Sequence, residues 1–214
     1  MSADRQVEDL IAQLAGDATP VRPLAPVSVR LSQWLALALV ASGIVAVMIG
    51  VRADVGAALA AYPLVAASLL SVLIAMSAAW IALTLSVPGA VAPAWLDRLP
   101  LLLAGVWGGW WWSAARASGQ SLLTEPWHVA CCARAVGLAV LPLVALFVSA
   151  RRGLVFDAGR ATAMAAVAGA ALAAGAVQWT CPIDRAAHLF VSHLLPMVGL
   201  AVAVGLGARR ALAE

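Results

Sequence analysis

Six residues of this chain have side chains that can hold a soft metal or undergo thiol oxidation: Cys131, Cys132 and Cys181, with His128, His188 and His193. Thiolate and imidazole together suit zinc, copper or cadmium, and the i, i+4 spacing of His128 and Cys132 puts two donors on one helical face. A transient metal ion would draw its ligands from His128, Cys132, Cys181, His188 and His193; no other cofactor is required. The cysteines also support a disulfide between two helix ends if they face an oxidising compartment. Adjacent helical residues point about 100° apart, so at most one of Cys131 and Cys132 faces Cys181 well, and spacing leaves both open. Against these readings stands the plain one, in which a buried cysteine is a small apolar residue. His193, beside Ser192 and before Pro196, lies inside an apolar run. There an ionisable group is a functional candidate, with interhelical hydrogen bonding as its simpler role.

The elements that must position these residues are membrane helices. Of the 214 residues 64% are apolar and 11% charged, and the apolar runs are long enough to cross hydrocarbon. The expected fold is all-α, a polytopic bundle of six spans: Leu31–Val51, Tyr62–Val87, Leu99–Ala115, Val129–Ala150, Ala161–Thr180 and Ala186–Ala208. The first long apolar run begins near Leu31 and no small-residue cleavage site ends it, so the first span is expected to be retained. Every basic residue is arginine, and cationic side chains accumulate in short cytoplasmic loops. With the N-terminus inside, Arg5, Arg22, Arg30, Arg98, Arg151, Arg152, Arg160, Arg209 and Arg210 fall inside, and Arg52, Arg116, Arg134 and Arg185 fall on or near the outer side. Both termini are therefore expected in the cytoplasm, and all three cysteines and all three histidines at the outer face. The net charge of +3 reads as an orientation signal. No basic face interleaved with aromatics points to direct nucleic-acid binding.

Within the spans, the alanine and glycine of 161–176, including Gly169 and Gly175, predict close approach to neighbours and a central position. Gly105 and Gly109 have small-xxx-small spacing. Trp110, Trp111, Trp112, Trp127 and Trp179 collect near the outer interface as an anchoring belt. Pro142 and Pro196 each remove a backbone hydrogen bond inside a span. Arg134 either snorkels to the surface or pairs with Asp184 or Glu125.

Residues 1–30 form the largest polar segment, with 31–208 as the membrane domain and 209–214 as a tail. Val7, Leu10, Ile11 and Leu14 repeat at the spacing of one helical face, while Asp4, Glu8, Asp9 and Gln13 take the others. A helix of about ten residues is marginal alone, so this stripe needs a cover, and its acidic side favours a protein partner over anionic lipid. Pro20, Pro23 and Pro26 predict an extended spacer into the first span.

The six-span layout, the Pro-Val-Arg-Pro-Leu segment at 20–24 and the run from Cys181-Pro182 through His188 and His193 to Pro196 resemble the negative regulator of sigma F family. These are bacterial inner-membrane, multi-pass anti-sigma factors. The resemblance implies that the arm holds an extracytoplasmic-function sigma factor, with Val7, Leu10, Ile11 and Leu14 as its docking residues. It also implies that two outer cysteines relay heavy-metal or oxidative stress, by position Cys181 and one of Cys131 and Cys132. The partners implied are that sigma factor and the lipid bilayer. The zinc-containing anti-sigma pattern His-x-x-x-Cys-x-x-Cys is not met, because Ala135 stands at its last position. Three cysteines without Cys-x-x-Cys spacing do not resemble a quinone-coupled thiol oxidase, and no enzyme is expected. The alternative is a small metal-handling or transport protein with an outer Cys/His site.

Overall fold

The computed structural model describes residues 3–17, 23–60, 62–153, 155 and 157–207, and among them there is helix and no strand. Helix α1 is Ala3–Asp17, α2 Val27–Ile49, α3 Val55–Ala60, α4 Tyr62–Thr84, α5 Ala94–Ala117, α6 Val129–Arg151 and α7 Ala158–Ala176. A 3₁₀ turn, Val177–Trp179, extends α7. The last span, Ala186–Gly207, is α-helical at both ends and π-wound over Leu189–Leu194.

Local chemistry sets the boundaries. Pro26 has no N–H to miss at a helix start, and its extended backbone leads into α2, so the helix begins four residues before the first apolar run. Gly50 closes α2 at φ 103°, a conformation that costs a glycine nothing. Likewise α5 starts directly after Pro93 and takes in Asp97, Arg98 and Pro100, residues too polar to read as span from hydropathy. The Asp157 carboxylate accepts a hydrogen bond from the Arg160 N–H at 3.0 Å and caps α7. Residues 23–26 are non-helical, as the proline spacing predicts; Pro20, Arg22, Ala208, Arg209, Arg210 and the rest of the 209–214 tail lie outside the described residues.

Five helices are long and apolar enough to cross a membrane: Val27–Ile49, Pro63–Thr84, Val129–Arg151, Ala158–Trp179 and Ala186–Gly207. They mark the chain as a multi-pass membrane protein. The helix α5 is 24 residues long, but its charged residues and five tryptophans leave it below that level of apolarity. It nevertheless runs alongside the others. Polar contacts sort the helix ends into two groups. At one end Arg30 of α2 donates to Ser86 after α4 and to the Ser149 carbonyl of α6, and Arg160 of α7 pairs with Asp97 of α5. At the other, Arg52 after α2 pairs with Asp184 before the last span, Arg185 with Glu125 before α6, and Arg134 of α6 donates to the Thr180 carbonyl after α7. Six long helices therefore alternate in direction. The arginines at 30, 98, 151, 152 and 160 fall at one end and those at 52, 116, 134 and 185 at the other, as the charge pattern predicts.

The helix α7 is the centre: 83% of its apolar window is buried, against 28–44% for the other four. Small residues make this position accessible. A Cβ on Gly169 would stand 2.5 Å from Leu143 Cγ, and one on Gly175 would run into the Ser71 hydroxyl. Gly105 and Gly109 behave differently, since a Cβ on either meets nothing within 4 Å; their spacing marks no helix contact. The tryptophans also divide. Trp107 and Trp111 are core, Trp110 stacks on Trp111 with centroids 4.7 Å apart, and Trp179 donates to the Ser68 hydroxyl. Trp112 and Trp127 face outward, leaving two members of the expected belt exposed.

Candidate functional site: a buried thiol and imidazole cluster

The cluster forms where α6 begins, the chain after α7 turns, and the last span starts. Buried residues of α6 are Cys131, Ala135, Leu138, Ala139, Pro142, Leu146 and Ala150, a stripe at helical spacing that carries Cys131 inward. Cys131 Sγ lies 3.5 Å from Cys181 Sγ, and Cys181 Sγ lies 3.4 Å from His188 Nε2. All three cysteines are free thiols. The pair facing each other is thus Cys131 and Cys181, a choice that spacing left open. Cys132 points elsewhere and its thiol donates to the Ser192 carbonyl at 3.4 Å. The expected ligand set included Cys132; the structure puts Cys131 in that place, because the small-residue face of α6 packs inward and rotates its neighbour out.

The imidazoles are packed against one another. His128 and His188 stand edge to face with centroids 4.5 Å apart, and His188 and His193 at 5.0 Å. His188 and His193 are both buried. Ligand atoms of Cys131, Cys181, His188 and His193 all lie within 4.8 Å of one another, and those of Glu125, His128 and His188 form a second such group. His128 therefore belongs with Glu125 rather than with the thiols. Its backbone N–H donates to the Ser192 hydroxyl at 3.3 Å, tying the start of α6 to the last span.

Several site residues had no motif to announce them. Glu125 accepts from Arg185 at 2.8 Å and comes within 3.9 Å of His188 Nδ1. The Gln120 side-chain oxygen accepts from the Ala187 N–H at 2.9 Å and caps the last span. Beside the cluster, buried Arg52 binds Asp54 at 2.7 Å and also binds Asp184, while its N–H donates to the Trp179 carbonyl. Hydrogen bonds to Asp54 first, then Asp184, hold the Arg52 guanidinium above its ordinary value, and the same guanidinium holds the Asp54 carboxyl below its own. Neither expected partner of Arg134 is used; Asp184 and Glu125 are taken by Arg52 and Arg185.

The arm carries the second predicted surface. The helix α1 spans 15 residues, longer than the stripe alone required. Val7, Leu10, Ile11 and Leu14 are each more than half exposed, so its apolar face is uncovered by the described residues. A cavity of about 660 Å³ is bounded by α5, α7 and the last span. Its lining, including Leu101, Trp107, Val167 and Met197, is mostly apolar and carries no charged side chain.

An all-helical membrane protein with thiol and imidazole side chains gathered at one end of its bundle is the class these features define. The chain belongs to the family of negative regulators of sigma F, whose sequence model matches residues 14–213. Negative regulation of a sigma factor follows from that membership. No curated protein and no solved structure matches the chain.

Proposed function

We propose that the chain is an inner-membrane anti-sigma factor of six spans with both termini in the cytoplasm. It sequesters an extracytoplasmic-function sigma factor through Val7, Leu10, Ile11 and Leu14 of α1, and releases it when the outer thiols react. The observation that carries this reading is the 3.5 Å approach of Cys131 Sγ to Cys181 Sγ, at the bundle end away from the start of α2. An oxidant taking two electrons and two protons would join the sulfurs as a disulfide, pulling α6 against the segment after α7. A thiophilic metal would bind the same two sulfurs.

The helix α6 supplies the link. Cys131 sits in its first turn and the Ser149 carbonyl, which accepts from Arg30, in its last. A shift of α6 at the thiol end is thereby felt where α2 joins the arm. Release is a population shift: the reacted thiols favour a bundle state whose arm binds sigma less well.

A sigma-dependent reporter in cells carrying Cys181→Ser tests the sensor. The response to cadmium, dichromate or oxidant is expected to vanish, and an unchanged response overturns the assignment. For the arm, Leu10→Asp with Ile11→Asp is expected to abolish co-purification of sigma, and full retention would reject α1 as the docking helix. Transport is the weaker reading, because the 660 Å³ cavity is lined by no charged side chain.

A further inference from the structure

The last span leaves the α-helical path where its histidines sit. In an α-helix, residues five apart point about 140° from each other, so His188 and His193 would face different neighbours. Over Leu189–Leu194 the winding is π, with hydrogen bonds spanning five residues. The wider turn brings His193 back over His188, and their rings stand 5.0 Å apart. Pro196 has no N–H to give the Ser192 carbonyl four residues earlier; the Cys132 thiol donates to it instead. A π-turn has poorer hydrogen-bond geometry than the helix it interrupts, and such turns are found often at functional sites.

Here the turn completes a set of four ligands. One donor atom from each of Cys131, Cys181, His188 and His193 lies within 4.8 Å of every other, and all four residues are buried. Both ring nitrogens of His193 and Nδ1 of His188 are buried without a hydrogen-bond partner, an arrangement that native interiors rarely leave uncompensated. Bond lengths of about 2.3 Å to sulfur and about 2.0–2.1 Å to nitrogen define a tetrahedron with edges of about 3.8 Å between sulfurs and about 3.6 Å between sulfur and nitrogen. The observed Sγ–Sγ and Sγ–Nε2 separations are 3.5 and 3.4 Å. No pair has to close by more than about 1.5 Å, a side-chain adjustment.

We propose that Cys131, Cys181, His188 and His193 form a tetrahedral two-sulfur, two-nitrogen site for a borderline or soft divalent cation, zinc or cadmium, with Glu125 orienting His188. The proposal rests on the reading of Cys131 and Cys181 as the sensor input and adds the histidines to it. Binding is not a redox step: each thiol gives up its proton, two metal–sulfur bonds form, and the neutral imidazoles donate their lone pairs. Two thiolates cancel the charge of the dication, so the buried complex is neutral where a net charge would be costly. His188 turns Nε2 toward the sulfur of Cys181 and Nδ1 toward Glu125, the carboxylate–histidine–metal order that fixes ring tautomer and orientation.

The full-length protein in detergent, titrated with Co²⁺ as a spectroscopic stand-in, provides the test. One ion per chain is expected, with the visible bands of a tetrahedral site, a thiolate charge-transfer band and two protons released. Glu125→Gln should weaken binding by about 10- to 100-fold, and His188→Gln or His193→Gln by more than that. Both histidine variants should still form the Cys131–Cys181 disulfide with a mild oxidant, which establishes that they fold. Wild-type affinity and spectrum in the histidine variants, or no thiolate band in the wild type, overturns the four-ligand site. In cells the two ideas separate. Loss of the cadmium response in Cys181→Ser but not in His193→Gln removes the histidines and keeps the sensor, whereas retention in Cys181→Ser removes both.

Discussion

The two ends of the bundle solve opposite problems. At the end where α2 begins, buried Arg30 donates to the Ser86 hydroxyl at 2.9 Å and to the Ser149 carbonyl, so a charge in an apolar setting ties α2 to α6 and to the segment after α4. At the thiol end, three histidines and two cysteines meet, and four of the imidazole nitrogens lack a partner. Buried Arg30 has its partners in place, whereas the imidazole nitrogens at the thiol end would find theirs in an added ion. The comparison teaches where a response can originate, and α6, about 35 Å long at 1.5 Å per residue, belongs to both ends.

Breaking the thiol end should have the largest effect. Cys131→Ser is expected to abolish the stress response of a sigma-dependent reporter as Cys181→Ser does, while Cys132→Ser, which loses only a weak bond to the Ser192 carbonyl, should keep most of it. Equal losses in Cys131→Ser and Cys132→Ser would end the assignment of Cys131 as the partner of Cys181. Next in size is Arg30→Ala. It removes two hydrogen bonds from a charged donor, worth about 1.5–3 kcal/mol each, and should lower the melting temperature in detergent while leaving the yield of Cys131–Cys181 disulfide unchanged. A parallel drop in disulfide yield would show that the two ends are not separable.

Gly153→Ala probes the same end through its backbone. The added Cβ meets the Ser86 carbonyl, a neighbour that cannot rotate away, and overpacking of this kind costs about 1–3 kcal/mol. Gly105→Ala, with open space at its Cβ, is the matched control and should melt no lower than wild type.

The smallest effect belongs to the Arg52 clasp. Arg52 holds the exposed Asp54 carboxyl below its ordinary value, so the contribution of the pair is present above the usual carboxylate range, about pH 4, and fades as pH falls through the lowered value. Asp54→Asn should therefore shift the melting temperature slightly at pH 7 and converge with wild type in acid. A difference that grows on acidification would contradict that sign.

How much of this was legible beforehand depended on which contrast the sequence carries. Apolar length located the helices, yet α5 starts at Ala94, directly after Pro93, and its Asp97 pairs with Arg160 from another helix, a pairing that hydropathy along one segment cannot register. Lipid removes the polar and apolar faces that reveal rotation in a water-soluble helix. In α6 the surviving clue is residue size: Cys131 shares its stripe with Ala135, Leu138, Ala139 and Pro142. Cys132 does not. Residues five apart, such as His188 and His193, face different ways on an α-helix, and the π-turn is what brings these two together.

From sequence alone came the helical class, the sorting of the described bundle arginines to two ends, the amphipathic stripe of α1 and the gathering of all cysteines and histidines at one end, because these follow from composition, charge and period along the chain. Tertiary structure decided which thiol faces Cys181, how His193 reaches His188, and where Arg30 finds its acceptors. Each of those depends on the rotation and winding of one helix against its neighbours, which is fixed by packing around α7 and has no counterpart in local sequence.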